Sequence, residues 1–376
     1  MVVQLGADVL VALEERDGGA VRLLFRPDGE WSPMTAGRAL VAALAAVEAA
    51  NEEAGQDEAE GGNVDPTPSG VAIQLDPTGW PDVTADWLAV LTGRLTEVGL
   101  SGTIGIAPQA DRPGWLGARL AAPALTAFLA VRQDRPRGAD PGDQHLPPRW
   151  AVSPERGARL CRDLTGWATR GADREVLLTQ GTADLVVRAA DAPPWLEYAL
   201  DQSGRAGVLA ADETATARRV FLSWWGQVVL QLDDPRGWRE RLGDLTAVLR
   251  DEAAQLDAGF VRLAPGYTLN WTNLASGNPE LPGITEADVR DHRALWARYL
   301  PDAHGVQLLT DAHLAGIGDL ADWLVEPVAP GRHLVSARDL APWYAGSGPD
   351  PAAVAKARQD FAGALLRPEV IAAERR

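Results

Sequence analysis

The sequence predicts an α+β protein of two tandem related lobes, and three observations lead there. Segments 71–108 and 228–265 match at a constant offset, Val71-Ala72-Ile73-Gln74-Leu75-Asp76 answering Val228-Val229-Leu230-Gln231-Leu232-Asp233. Each segment also carries apolar residues at helical spacing: Trp87, Leu88, Leu91, Leu95 and Val98 in one, Leu242, Leu245, Val248, Leu249 and Leu256 in the other. With a short apolar run on either side, that is the pattern of a strand, a helix and a strand. Finally, 376 residues that are 46% hydrophobic and 23% charged suit two modest domains better than one.

Taken in order, Val9–Leu13 and Val21–Phe25 around Asp17-Gly18-Gly19 read as a hairpin. Ser32-Pro33 supplies an N-cap and first helical position for a long Ala/Leu-rich helix running to about Glu53. Residues 51–70 are acidic and rich in glycine and proline, so they are expected to form a mobile loop. The first repeat segment follows and ends in the strand Thr103–Ile106, whose counterpart is Phe260–Leu263; a strand–helix–strand unit predicts parallel strands. Gly79-Trp80 and Gly237-Trp238 mark the turn in each copy, and Ala107-Pro108 and Ala264-Pro265 mark the end.

The echo extends outward. Gly6-Ala7-Asp8 resembles Gly171-Ala172-Asp173, ahead of a second hairpin at 175–178 and 185–187, while Trp31 is answered by Trp195 and Trp115 by Trp271. Residues 6–115 and 171–271 are thus read as two copies of hairpin, helix, strand, helix and strand, each a mixed sheet covered by helices. The Pro/Gly-rich stretch 133–149 puts a boundary near 140. On this reading, residues 1–140 form the first lobe with the acidic loop, and 141–376 form the second lobe plus a C-terminal α/β extension. In that extension Thr285–Asp288 resembles a capping box, Val306–Thr310 a strand, 311–322 a helix, and 323–326 with 333–336 a hairpin; Asp350-Pro351 opens a last helix through Leu366.

Composition narrows the function. The formal charge is −17, and the first 70 residues hold 13 acids against four arginines. Such a chain repels nucleic acid and anionic lipid, so neither is an expected partner. A single cysteine, Cys161, excludes an intramolecular disulfide and a thiolate metal cage. The amino terminus lacks a cationic signal segment, and no apolar stretch approaches about 18 residues, so a cytoplasmic location is expected.

No motif establishes a chemistry. Four histidines, His292, His304, His313 and His333, fall within 42 residues but lack metal-site spacing. Gly316-Ile317-Gly318-Asp319-Leu320-Ala321 fits the dinucleotide pattern GxGxxA, yet the residues before it read as helix rather than strand. Asp76 and Asp233 recur after equivalent strands, where an aspartate ordinarily bonds its own turn. No catalytic residue, metal site or cofactor is therefore assigned. The candidate binding residues are the acids Glu52, Glu53, Asp57, Glu58 and Glu60, together with Trp224 and Trp225, adjacent on an expected strand so that one of them faces outward.

In the second half, Val228–Leu232, Gly237-Trp238, Gly259–Leu263, then His304-Gly305-Val306-Gln307-Leu308-Leu309-Thr310 and Leu314-Ala315-Gly316-Ile317 follow one another in an order that resembles the immunity-protein family linked to type VI secretion. The resemblance covers about residues 220–370. It implies a non-enzymatic protein that binds and neutralises a protein toxin, with no catalytic residues to carry over. The alternative is an enzyme with its site in the histidine-bearing region. Binding expects dispersed histidines and an exposed patch with an acidic rim; catalysis expects at least three of His292, His304, His313, His333, Asp311 and Asp339 to converge.

Overall fold

A computed structural model describes residues 2–14, 20–29, 31, 33–53, 59–67, 69–77, 81–107, 124–132, 152–170, 175–180, 183–203, 205–211, 217–223, 226–233, 237–264 and 293–374. The chain forms two compact units, one from Met1–Asp111 with Leu177–Ala199, the other from Arg112–Val176 with Leu200–Arg376. The expected α+β class is what the chain adopts.

The first unit contains β1 (Val3–Leu5), α1 (Ala7–Glu14), β2 (Val21–Pro27), α2 (Pro33–Glu53), β3 (Ala59–Thr67), β4 (Gly70–Pro77), α3 (Pro81–Glu97) and β5 (Gly102–Ile106). Its sheet runs β1-β5-β2-β4-β3, with β1 parallel to β5 and the other neighbours antiparallel. One face of that sheet, Leu23, Phe25, Ile73, Leu75 and Ile104, packs in a single core with Leu40, Ala43 and Val47 of α2 and Trp87, Leu88, Leu91 and Leu95 of α3. Helix α2 begins and ends where its cap signals place it.

Two readings of this half are corrected. Val9–Leu13 is not a strand but lies in α1, which buries Val9 and leaves Leu10 and Val11 exposed; the β-branched valines favour strand, and tertiary packing of this short helix overrides them. The segment expected to be a mobile loop contains β3. Its composition cannot build a core, but an edge strand tolerates Pro and acidic residues, and its backbone is held from outside. Asn51 of α2 donates to the Gly61 carbonyl at 2.9 Å and accepts from the Gly61 N–H at 2.8 Å. The turn into β4 is closed by Thr67, whose hydroxyl donates to the Gly70 carbonyl at 3.0 Å, with Gly70 at φ +153° against the Phe25 carbonyl, where a side chain cannot fit.

The second unit opens with β6 (Ala124–Val131) and α4 (Pro154–Ala168), which buries Cys161. The expected hairpin follows as β7 (Glu175–Gln180) and β8 (Ala183–Arg188), and α5 (Ala192–Ser203) comes next; residues 177–199 of this stretch belong to the first unit. Trp195 is therefore not the repeat counterpart of Trp31 but its neighbour, the rings stacking at 6.0 Å. The second unit resumes with β9 (Arg205–Ala211), β10 (Ala217–Ser223), β11 (Gln227–Asp233), α6 (Trp238–Asp251), β12 (Leu256–Ala264), β13 (Val306–Thr310), α7 (Asp311–Leu314), β14 (Trp323–Ala329), β15 (Arg332–Ala337), α8 (Ala341–Tyr344), α9 (Pro351–Asp360) and α10 (Pro368–Glu374). Its strands lie in the order β14-β15-β13-β12-β6-β11-β10-β9.

The inner repeat holds: β4-α3-β5 and β11-α6-β12 are both strand, helix, strand. The paired strands are parallel but not adjacent, because β2 lies between β4 and β5, and β6 between β11 and β12, antiparallel to both neighbours. Each copy is thus a split β-α-β arrangement of ferredoxin-like type, ordered β5-β2-β4-β3 in one unit and β12-β6-β11-β10 in the other. The counterpart of β2 is consequently β6, and that of α2 is α4.

In the extension the strand and hairpin form as read. The helix expected over 311–322 stops at Leu314, where Gly316 and Gly318 follow. Asp350 caps α9 by accepting from the Ala352 N–H at 2.7 Å, but α9 ends at Asp360. Beyond it Gly363 presses against the Gly316 carbonyl so closely that only glycine fits. The box at 285–288 lies outside the described residues, and Arg293–Ala297 is a 3-10 turn.

Candidate functional site

Helix α2 buries Ala39, Leu40, Ala43, Ala46, Val47 and Ala50 and turns Arg38, Val41, Leu44, Ala45, Glu48 and Glu52 outward. Val41 is 68% exposed and Leu44 48%, an apolar stripe at i, i+3 that continues into Glu48 and Glu52 on the same side. Arg38 donates to the Val98 carbonyl at 3.1 Å, tying the stripe to the end of α3, where Val98 is 49% exposed beside exposed Glu97. Glu53 pairs with Arg94 of α3, which also pairs with Glu97 at 3.0 Å. The first unit thus presents aliphatic surface bordered by carboxylates, although acids in the last turn of α2 oppose the helix dipole. A stability optimum would not put them there.

Of the acids singled out by sequence, Glu52 and Glu53 border this stripe. Glu60 lies in β3 opposite Asp76 of β4. Asp57, Glu58, Trp224 and Trp225 lie outside the described residues, as do Trp80, Trp115, Trp271 and His292. Val41 and Leu44 were missed because α2 reads apolar nearly all round; the wheel positions of Arg38, Glu48 and Glu52 are the signal that marks its outer face.

The described histidines occupy separate settings. His333 Nε2 meets Asp311 Oδ1 at 2.6 Å at the rim of the second unit's sheet. His313 is fully buried and its ring accepts from the Thr310 N–H at 3.1 Å in a reciprocal cap of α7. His304 lies beyond the other end of β13, about 13 Å away along the strand, with its ring on Phe260 at 4.0 Å. Asp339 accepts from the Ala341 N–H at 3.0 Å just ahead of α8. Of the five groups named for catalysis that are described, His333 and Asp311 meet, and His304, His313 and Asp339 occupy separate settings. Gly316 precedes no helix, which removes the dinucleotide reading.

Among the described residues no group of His, Cys, Asp and Glu could hold a metal ion, and no helix is long and apolar enough to cross a membrane. No protein-family model, curated protein or solved structure matches the chain. The ferredoxin-like topology itself carries no function.

Proposed function

We propose that this chain works by binding another protein, and that the exposed face of α2 takes a basic amphipathic helix of that partner. The observation that carries the reading is the Val41–Leu44 stripe bordered by Glu48, Glu52, Glu53 and Glu97. An apolar helix face seated there buries aliphatic surface, and lysines or arginines along its flanks meet carboxylates that also steer its approach. The resemblance of residues 220–370 to immunity proteins makes a cationic toxin the natural partner and neutralisation the outcome.

The direct test uses a synthetic helix with leucines at i, i+3, i+4 and lysine flanks, and a second with glutamate flanks, titrated against the whole chain. The lysine peptide is expected to bind, with affinity falling as salt rises, and the glutamate peptide to bind at least about tenfold more weakly. Val41→Asp with Leu44→Asp should abolish binding while leaving the circular-dichroism spectrum unchanged, because both side chains are exposed. Equal binding of the two peptides, or an undiminished affinity in the double variant, sinks the proposal.

A further inference from the structure

Strand β14 ends the second unit's sheet and has a neighbour, β15, on one side only. Residues 324–327 are all exposed, and Leu324 at 48% and Val325 at 43% are the exposed large hydrophobic side chains of that unit among the described residues. Native edge strands are ordinarily blunted by charge, proline or a bulge. Here Pro327 and the register shift that follows it blunt one end, while the two aliphatic residues ahead of them stand open. Adjacent residues of a strand project to opposite faces, so no helix seated on one face covers both. A strand laid along the edge does.

The ladder fixes which backbone groups face outward. Antiparallel pairs alternate between those that exchange hydrogen bonds and those that do not. Pro327 opposes His333 and has no N–H to exchange, so the pairs made by Pro327, Val325 and Trp323 are of the second kind and turn their backbone groups away from β15. The Asp322 carbonyl, in the alternate phase, accepts from the Arg338 N–H at 3.1 Å, as this phase requires. The Trp323 N–H is already used on the Leu320 carbonyl at 2.9 Å. Among the described residues the outer edge therefore offers the carbonyls of Trp323, Val325 and Pro327 but only the N–H of Val325.

This imbalance decides what can pair there. Two copies of β14 would each bring that single N–H against the other's carbonyls, so in any register most of the edge would stay unpaired. We propose that β14 takes an extended segment of a partner protein as an added antiparallel strand, with an aliphatic residue opposite Val325, a basic residue before it opposite Glu326, and a second aliphatic residue after it opposite Leu324. Such a segment brings an N–H to each outward carbonyl and accepts from Val325, while its alternating side chains cover both faces of the edge. Glu326 and Leu324, two apart, share a face and read the segment there as charge and then apolar contact. Arg250 holds the Glu326 carboxylate at 2.9 Å, and a carboxylate so held keeps lone pairs for a second cation. The edge lies in the other unit from α2 and does not depend on the reading given for that helix.

The test titrates the whole chain with three end-capped peptides. The first has arginine, valine and leucine in that order at its centre, flanked by threonines; the second is the same with its valine N-methylated; the third has glutamate for arginine. The first is expected to bind saturably and to slow hydrogen exchange of the Val325 amide. The N-methylated peptide keeps the side chains but loses the central donor, and should bind at least about tenfold more weakly. The glutamate peptide should bind a few-fold more weakly, as like charges oppose one another across the pair, and Glu326→Lys should reverse that order. Val41→Asp with Leu44→Asp should leave binding of the arginine peptide unchanged. Absence of saturable binding, or equal affinity for the N-methylated peptide, overturns the proposal. So does an order of arginine and glutamate peptides that Glu326→Lys leaves as it was, or a loss of binding in the α2 double variant, which would put the peptide on that helix instead.

Discussion

Trp87→Ala is expected to destabilise the first unit by roughly 3–5 kcal/mol, the range for removing a fully buried tryptophan, and to appear as a large downward shift of the urea midpoint. Trp87 has no exposed surface, and its indole Nε1–H donates to Asn51 Oδ1 at 2.8 Å. The same Asn51 clamps both backbone groups of Gly61, and Gly61 lies so close to the Trp87 ring that a side chain there would overlap it. Truncation therefore opens a cavity beneath the very turn of β3 that lacks apolar side chains of its own. Against a total of about 5–15 kcal/mol for a folded domain, β3 should be the first element to lose amide protection. A midpoint within error of the unaltered chain would show that the ring does not support the strand.

Acid should unfold the second unit well before its carboxylates are neutralised. Burial holds His304 at about 3 and His313 at about 4 in the folded chain, against 6.5 for an ordinary histidine. The unfolded chain therefore takes up protons that the folded one refuses. The resulting stability is complete above about pH 6.5 and is lost as pH falls toward the folded values. Each histidine contributes about 1.4 kcal/mol per pH unit in that window, so the pair removes roughly 4 kcal/mol by pH 5. The charges around His304 do not reverse this: Asp302 favours its protonation, whereas Arg262 and Arg358 oppose it, and Arg332 opposes that of His313. Glu252, whose carboxyl is raised by burial, works in the other direction. His304→Phe keeps a ring on Phe260 and should about halve the slope of stability against pH between 6 and 5. An unchanged slope would mean that the ring takes up its proton without unfolding.

The legible parts of the fold are those whose apolar pattern has one period. Helix α3 and helix α6, with their flanking strands, recur as written because each helix shows a single buried stripe. Strand β6 escaped because Leu125 through Val131 are all buried; a strand covered on both faces shows no alternation. Missing it displaced the outer register of the second copy, so the hairpin at 175–187 took the place that β6 fills. Strand β3 escaped for the opposite reason, since its order comes from Asn51 and β4 rather than from its own residues. Of the candidate site, the acids were visible as charge. The aliphatic part was hidden among identical residue types in α2.

The excursion of residues 177–199 back to the first unit bears on how the chain can be made. On a ribosome, the segment carrying β1 to β5 and α1 to α3 emerges before β6, but Trp195, which stacks on Trp31, follows only after β6 and α4 of the other unit have appeared. Strand β6 meanwhile waits for β11 and β12, which emerge about a hundred residues later, and long-range pairings of this kind form slowly. During that interval β6, apolar at every position but Thr126, has both edges open. The acidity of residues 1–70, made before those late strands, then has a use that involves no partner, as a source of charge repulsion that keeps nascent chains apart until the late strands arrive.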